Sequence, residues 1–135
     1  MVRVPASVLL VVFLCVACGD TPAGPSSVDI GVWGGDHATM TVGETNTHLE
    51  FDCAHGDIPG VLSANHGTIA AKGTFVREHG GPIRVDEPMD IHPALYSGSI
   101  SSSKMTLSIR LTDSGDVVGP FDLVQGRAGH VFKCL

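Results

Sequence analysis

Basic residues are scarce in this chain: eight Lys and Arg stand against fourteen Asp and Glu, and the eight never cluster. Without a basic cluster there is nothing to displace counterions from phosphates, so nucleic acid is set aside as a partner. Long apolar runs are lacking too. The longest, Val8 to Ala17, spans ten residues, well short of the roughly 20 that a helix needs to cross a bilayer. Charged residues make up only 16% of the chain, and with Val, Ile, Leu and Phe spaced regularly that composition favours a packed core over disorder. From Ile30 onward no stretch places apolar residues at helical spacing, which excludes an amphipathic helix there. The 135 residues suffice for one domain and not for two ordinary ones.

What is present at the amino terminus is an address. Arg3 supplies a positive charge, Val8 to Ala17 an apolar core, and a small residue precedes Cys18; together these read as an export signal over residues 1–17. Cys15-Val16-Ala17-Cys18-Gly19 resembles the lipobox of bacterial lipoproteins, with Cys15 where Leu is usual. The resemblance implies acylation of Cys18 and a lipid bilayer as its partner. Gly19, in the place of a retaining Asp, implies the outer membrane or cell surface. Residues 18–29, with Thr21-Pro-Ala-Gly-Pro-Ser-Ser27, then read as a lipidated cysteine and flexible tether, and residues 30–135 as a single β domain. Without the signal the chain carries seven basic and fourteen acidic residues, a formal charge of −7.

Of four cysteines, Cys15 leaves with the signal and Cys18 takes the lipid, so Cys53 and Cys134 remain. An even remainder in an exported chain suggests a disulfide. Ordinary cleavage would instead leave three cysteines, one unpaired; a redox role for Cys53 and Cys134 is the less favoured alternative, since they lie far apart on separate expected strands.

Period-two alternation recurs through the domain and predicts an all-β fold, an antiparallel meander of about seven to nine strands. A small up-and-down β-barrel is expected, with a β-sandwich as the alternative. Ala38, Met40 and Val42 share one face, as do Leu49, Phe51 and Cys53. Matching these faces pairs Val42 with Leu49, Met40 with Phe51 and Ala38 with Cys53, and sends Cys53 into the core. Met105, Leu107, Ile109 and Leu111 should face inward. They pair on one side with Ile100, Gly98 and Tyr96, and on the other with Leu123, Phe121, Gly119 and Val117 around Asp113-Ser114-Gly115. Thr68 to Glu78 alternates likewise, Asp57 to Leu62 forms a shorter strand or edge, Gly80 to Pro93 is a long connection, and His130 to Cys134 makes the last strand, with His130 facing inward.

Two resemblances attach to these strands. Gly31-Val-Trp33, with Lys133 or Arg127 near the end of the chain, is similar to the calycin pattern of lipocalins and avidins, in which an early Trp is packed by a basic side chain from the closing strand. The chain also resembles small uncharacterised bacterial exported proteins and lipoproteins through Trp33-Gly-Gly-x-His37, Phe51-Asp-Cys-Ala-His-Gly56, Gly80-Gly-Pro-x-Arg84, Tyr96-Ser-Gly98 and Lys133-Cys-Leu135. That second resemblance implies no activity.

Seven histidines nearly match the eight Lys and Arg. Extending the Ala38/Cys53 register sets Asp36 opposite His55 and Asp52 diagonal to His37. Two imidazoles and two carboxylates at one hairpin end are candidate ligands for a divalent metal, or a base with its orienting acid. The simpler expectation is a surface pair of His37 and Asp52, with Asp36 and His55 shaping turns and no cofactor. His48 and His66 are expected in loops, His79 and His92 in or beside the long connection, and all four in solvent. If all seven histidines titrate, the charge without the signal moves from −7 to 0 in mild acid. The serines lack a nucleophile-elbow context, so no catalytic residue is assigned. The function expected is a non-enzymatic envelope lipoprotein whose β-domain binds a ligand or envelope protein; the alternative is a metal-dependent protein or hydrolase using Asp36, His37, Asp52 and His55.

Overall fold

The computed structural model describes residues 24–135; the expected signal segment, Cys15 and the lipidation candidate Cys18 lie outside the described residues. The expected alternation resolves into strands as far as Gln125. Eight of them, β2 (Gly31–Gly35), β3 (Ala38–Val42), β4 (Asn46–Phe51), β5 (Ala54–Pro59), β7 (Thr68–Arg77), β8 (Asp90–Ser101), β9 (Lys104–Leu111) and β10 (Val117–Gln125), pair antiparallel with their neighbours. β10 pairs with β2 and β7 with β8, so the sheet closes on itself. The fold is a small up-and-down barrel, and the sandwich alternative is set aside by that closure. Two short strands, β1 (Ser26–Ser27) and β6 (Ser63–Asn65), extend from the Thr68 end of β7. Val28 behind them is 4% exposed, so the ordered domain starts ahead of Ile30 and takes in the end of the expected tether.

The interior is filled. Trp33, Met40, Leu49, Phe51, Tyr96 and Ile109 are buried at its centre, leaving side chains where larger barrels hold a cavity. Tyr96 donates its phenol hydrogen to Thr74 O at 2.6 Å. Burial pushes its ionisation upward, with nearby Asp57 adding to the effect. A Cβ on Gly56 would collide with Tyr96 Oη, so the glycine provides the space that the tyrosine fills.

Several expected registers are observed: Ile100/Met105, Gly98/Leu107, Tyr96/Ile109, Leu107/Phe121 and Met105/Leu123. Beyond Phe121 a bulge at Gly119 and Pro120 slips the ladder, so Val118 faces Ile109 and Val117 faces Arg110 in place of Ile109/Gly119 and Leu111/Val117. The β3–β4 hairpin also differs: Ala38 pairs with Phe51, Met40 with Leu49 and Val42 with Thr47. A shift of two residues leaves every side chain on its face, so alternation alone cannot detect it. The tighter loop, closed by Gly43 N–H to Asn46 O at 2.9 Å, brings Thr47 inward. Cys53 accordingly lies in the β4–β5 turn with φ 51°, not in the core.

The segment His130–Cys134 is not a strand. It meets the barrel through one parallel bridge, Asp36 with His130, and then crosses strand ends. His37 N–H donates to His130 O at 2.7 Å, Cys53 N–H to Phe132 O at 3.2 Å and Gly81 N–H to Leu135 O at 3.1 Å. Cys53 and Cys134 are joined as a disulfide with Cα atoms 5.0 Å apart. The tail thus ties together the β2–β3, β4–β5 and β7–β8 connections.

Candidate functional site

Strand direction gives the barrel two different poles. The chain comes in at Ser26 beside the Thr68 end of β7, while the tail, the disulfide and the long β7–β8 connection gather at the Arg77 end. Ten residues of β7 separate these ends by roughly 30 Å along the strand.

The second pole concentrates acid. Asp36 and Asp52 lie in its first two turns, Glu78, Asp86, Glu87 and Asp90 in or beside the long connection, and Asp113 and Asp116 in the β9–β10 turn. Arg77, Arg84 and Lys133 are the basic residues in the same connections, so eight acids against three bases give a formal charge of −5. Arg77 is occupied by Asp116 at 2.8 Å, and its guanidinium holds that carboxyl below its ordinary range.

The four residues expected to cluster lie in three separate places: only His37 and Asp52 meet. His37 Nδ1 lies 2.5 Å from Asp52 Oδ2, and Asp52 Oδ1 accepts the Phe132 N–H at 2.8 Å. That backbone bond, and then His37, holds the Asp52 carboxyl low. Asp36 meets His130 through backbone alone. His55 turns away to Glu78 Oε1 at 2.7 Å. The cause is the turn at Asp52 and Cys53: it reverses the chain, so His55 stands on β5 opposite Glu50 and not opposite Asp36. Among the described residues no three His, Cys, Asp or Glu side chains are arranged to share a metal ion. His130 is exposed rather than inward, and its ring lies 5.4 Å from that of exposed Phe132, which has His37 at 6.1 Å on another side.

A polar network that sequence reading missed covers the neighbouring wall. His48 and Glu50 point outward from β4, and His55 and Asp57 outward from β5; the register sets His48 against Asp57 and Glu50 against His55. His48 bonds Asp57 and Glu50, each at 2.7 Å, and the Asp57 bond followed by the Glu50 bond raises its pKa. Lys133 from the tail contacts Glu50 and lies 3.3 Å from Glu78. Burial raises Glu50 and Glu78, but bonds from Lys133 and from His48 or His55 outweigh it and hold both carboxyls low. The signal was available in the antiparallel matching of His-x-Glu with His-x-Asp once both strands face outward. Lys133 has carboxylates for partners, which differs from the role the calycin pattern implies for a basic residue beside Trp33; the Trp33 Nε1–H donates to Asp29 O at 3.2 Å.

His48 and His92 also depart from their expected loops. Both sit on strands, and the His92 side chain is only 14% exposed between Asp113 at 2.8 Å and Asp90 at 3.0 Å. The Asp113 bond raises the His92 pKa. His79 lies 2.8 Å from Glu87, and its pKa is raised by the Gly80 carbonyl and then by Glu87.

Beside this polar surface lies a largely apolar recess. Val76, Ile83, Pro88 and Met89 form its walls under the long connection, rimmed by His55, Arg77, Glu78, His79, Glu87 and Asp90. Its volume is about 360 Å³. Ile83 is 79% and Met89 66% exposed, while Val76 beneath them is buried.

Comparison with known proteins finds no matching family model, no matching curated protein and no matching solved structure.

Proposed function

We propose that this chain is an exported bacterial envelope lipoprotein, anchored through acylated Cys18, whose barrel is a non-enzymatic module that binds a ligand or envelope protein at the pole of the long connection. The observation that carries the reading is the apolar cleft at Ile83 and Met89, at the pole away from Ser26. A tether entering beside Ser26 attaches at the pole opposite that cleft and leaves the cleft uncovered by the attachment. The filled interior directs binding to the outer surface. The histidine–carboxylate pairs at His37, His48, His55, His79 and His92 are read as ties between neighbouring strands and turns. The anchor reading is supported by the lipobox resemblance at Cys18.

Two measurements test this in bacterial cells. Radiolabelled palmitate should enter the wild-type chain and not the Cys18→Ser variant; label in neither overturns the anchor. A photo-cross-linking amino acid placed at Ile83 should give adducts in intact cells that the same group at Lys104, near the other pole, does not. Equal adducts at both positions, or none at Ile83, overturn the assignment of the binding pole.

A further inference from the structure

The cleft has a chemistry more specific than exposure alone, and the occupant selected by that chemistry rests on the binding reading and narrows it. We propose that the cleft beneath the Gly80–Met89 connection takes a cationic, apolar peptide segment of a partner protein, seating an apolar side chain against Val76, Ile83 and Met89 and basic neighbours against Glu78, Glu87 and Asp90.

Three features select this occupant. The floor is apolar, and a volume of about 360 Å³ is at the small end of ligand pockets, which run from roughly 300 to 1,000 Å³. It admits one or two side chains and excludes a large cofactor. The rim carries Glu78, Glu87 and Asp90, and the pole around it has a formal charge of −5, a field that draws a cation and repels an anion before contact. Arg77 on the rim is paired with Asp116 and is already included in that charge; Glu78, Glu87 and Asp90 face Lys133, His79 and His92, so it is the net acidity of the pole that draws the ligand. Electrostatics also disfavour the other candidates for an exposed apolar loop. Anionic lipid headgroups are repelled by the acidic turns, and two copies meeting at this face would bring two poles of the same sign together. A basic segment with a hydrophobic residue between its charges satisfies floor and rim at once.

The test uses the full chain and three probes: acetyl-Lys-Leu-Lys-Leu-Lys-amide, its Glu-Leu counterpart, and its Lys-Ser counterpart. The Lys-Leu peptide should move backbone amide resonances of Val76, Ile83 and Met89, and bind more weakly as salt rises. Ile83→Ser and Met89→Ser, which remove the apolar contact without adding charge, should each weaken it by about tenfold or more, and Glu87→Gln by several-fold. Ile83 and Met89 are exposed, and buried Trp33 fluorescence checks that these variants stay folded. Equal binding of the Glu-Leu or Lys-Ser peptide, binding unchanged in Ile83→Ser, or no resonance shift at millimolar peptide overturns the proposal. Concentration-dependent self-association abolished by Ile83→Ser would put a second copy in the cleft, and Ile83-dependent binding to phosphatidylglycerol vesicles would put a membrane there; either also overturns it. If peptide binding fails while the Ile83 cross-link persists in cells, the binding pole stands and only its chemistry falls. Loss of the cross-link removes the reading beneath both.

Discussion

Tyr96 occupies the space that Gly56 leaves open, and its hydroxyl reaches Thr74 O on the adjoining strand at 2.6 Å. The two residues lie on strands that do not pair with each other, with β7 between them. Gly56→Ala should therefore push the phenol off its bond. Overpacking costs about 1–3 kcal/mol and the displaced hydrogen bond about 1 more. Tyr96→Phe, which removes only the hydroxyl, should cost less. Urea midpoints for the two variants check the order; a Gly56→Ala midpoint equal to wild type would refute the packing argument.

The Cys53–Cys134 bond closes a loop of 81 positions, for which the chain-entropy model gives roughly 3–5 kcal/mol. Reduction, or the Cys53→Ala/Cys134→Ala pair, should lower stability by an amount in that range. Lys133 and the backbone bonds at His37 and Cys53 should still hold part of the tail. Hydrogen exchange at the Cys53 amide is expected to rise several-fold on reduction, while the Ile109 amide stays protected.

Lys133→Met should leave Glu50 and Glu78 without their ammonium partner. Since bonds from Lys133 are among the interactions holding both carboxyls low, their titration midpoints, followed by carboxyl carbon resonances, should move upward. An unchanged pair of midpoints would mean that the tail does not rest on this wall.

Stability should depend on pH in two windows. His48 is raised above its ordinary value of 6.5 by Asp57 and then Glu50, and His92 by Asp113. Their contribution is fully present below about pH 6.5 and is lost as pH climbs through the raised folded-state values. Glu50 and Glu78 are lowered, so their contribution is present above about pH 4.5 and is lost as pH falls through the lowered values. The melting temperature should thus peak in mild acid and decline toward alkaline pH. His48→Gln should flatten the alkaline side; a profile identical to wild type there would discount the His48 bonds.

The all-β class, the inward row Met105, Leu107, Ile109 and Leu111, and the β8–β9 register were legible because alternation and short turns are local. The His37–Asp52 pair was legible on the same grounds, both being placed near one hairpin end. His48 was assigned to a loop because the two-residue register shift is invisible to face matching. The Glu50–Lys133 and His55–Glu78 contacts join residues far apart in sequence, and no periodicity links them.

By itself the sequence determined which side chains face inward along the regular strands, since successive residues point to opposite faces whatever the strand pairs with; past the β10 bulge it is Val118, not Val117, that packs inward. It likewise set the acidic balance and the supply of histidine beside carboxylate. Tertiary structure alone decided that β7 meets β8 and β10 meets β2 to close the barrel, and that the tail crosses one pole. It also turned His55 toward Glu78 and away from Asp36, and folded Ile83 and Met89 over Val76. Those outcomes depend on closure and on the sharp turn at Cys53, which bring together parts of the chain whose local patterns carry no information about one another.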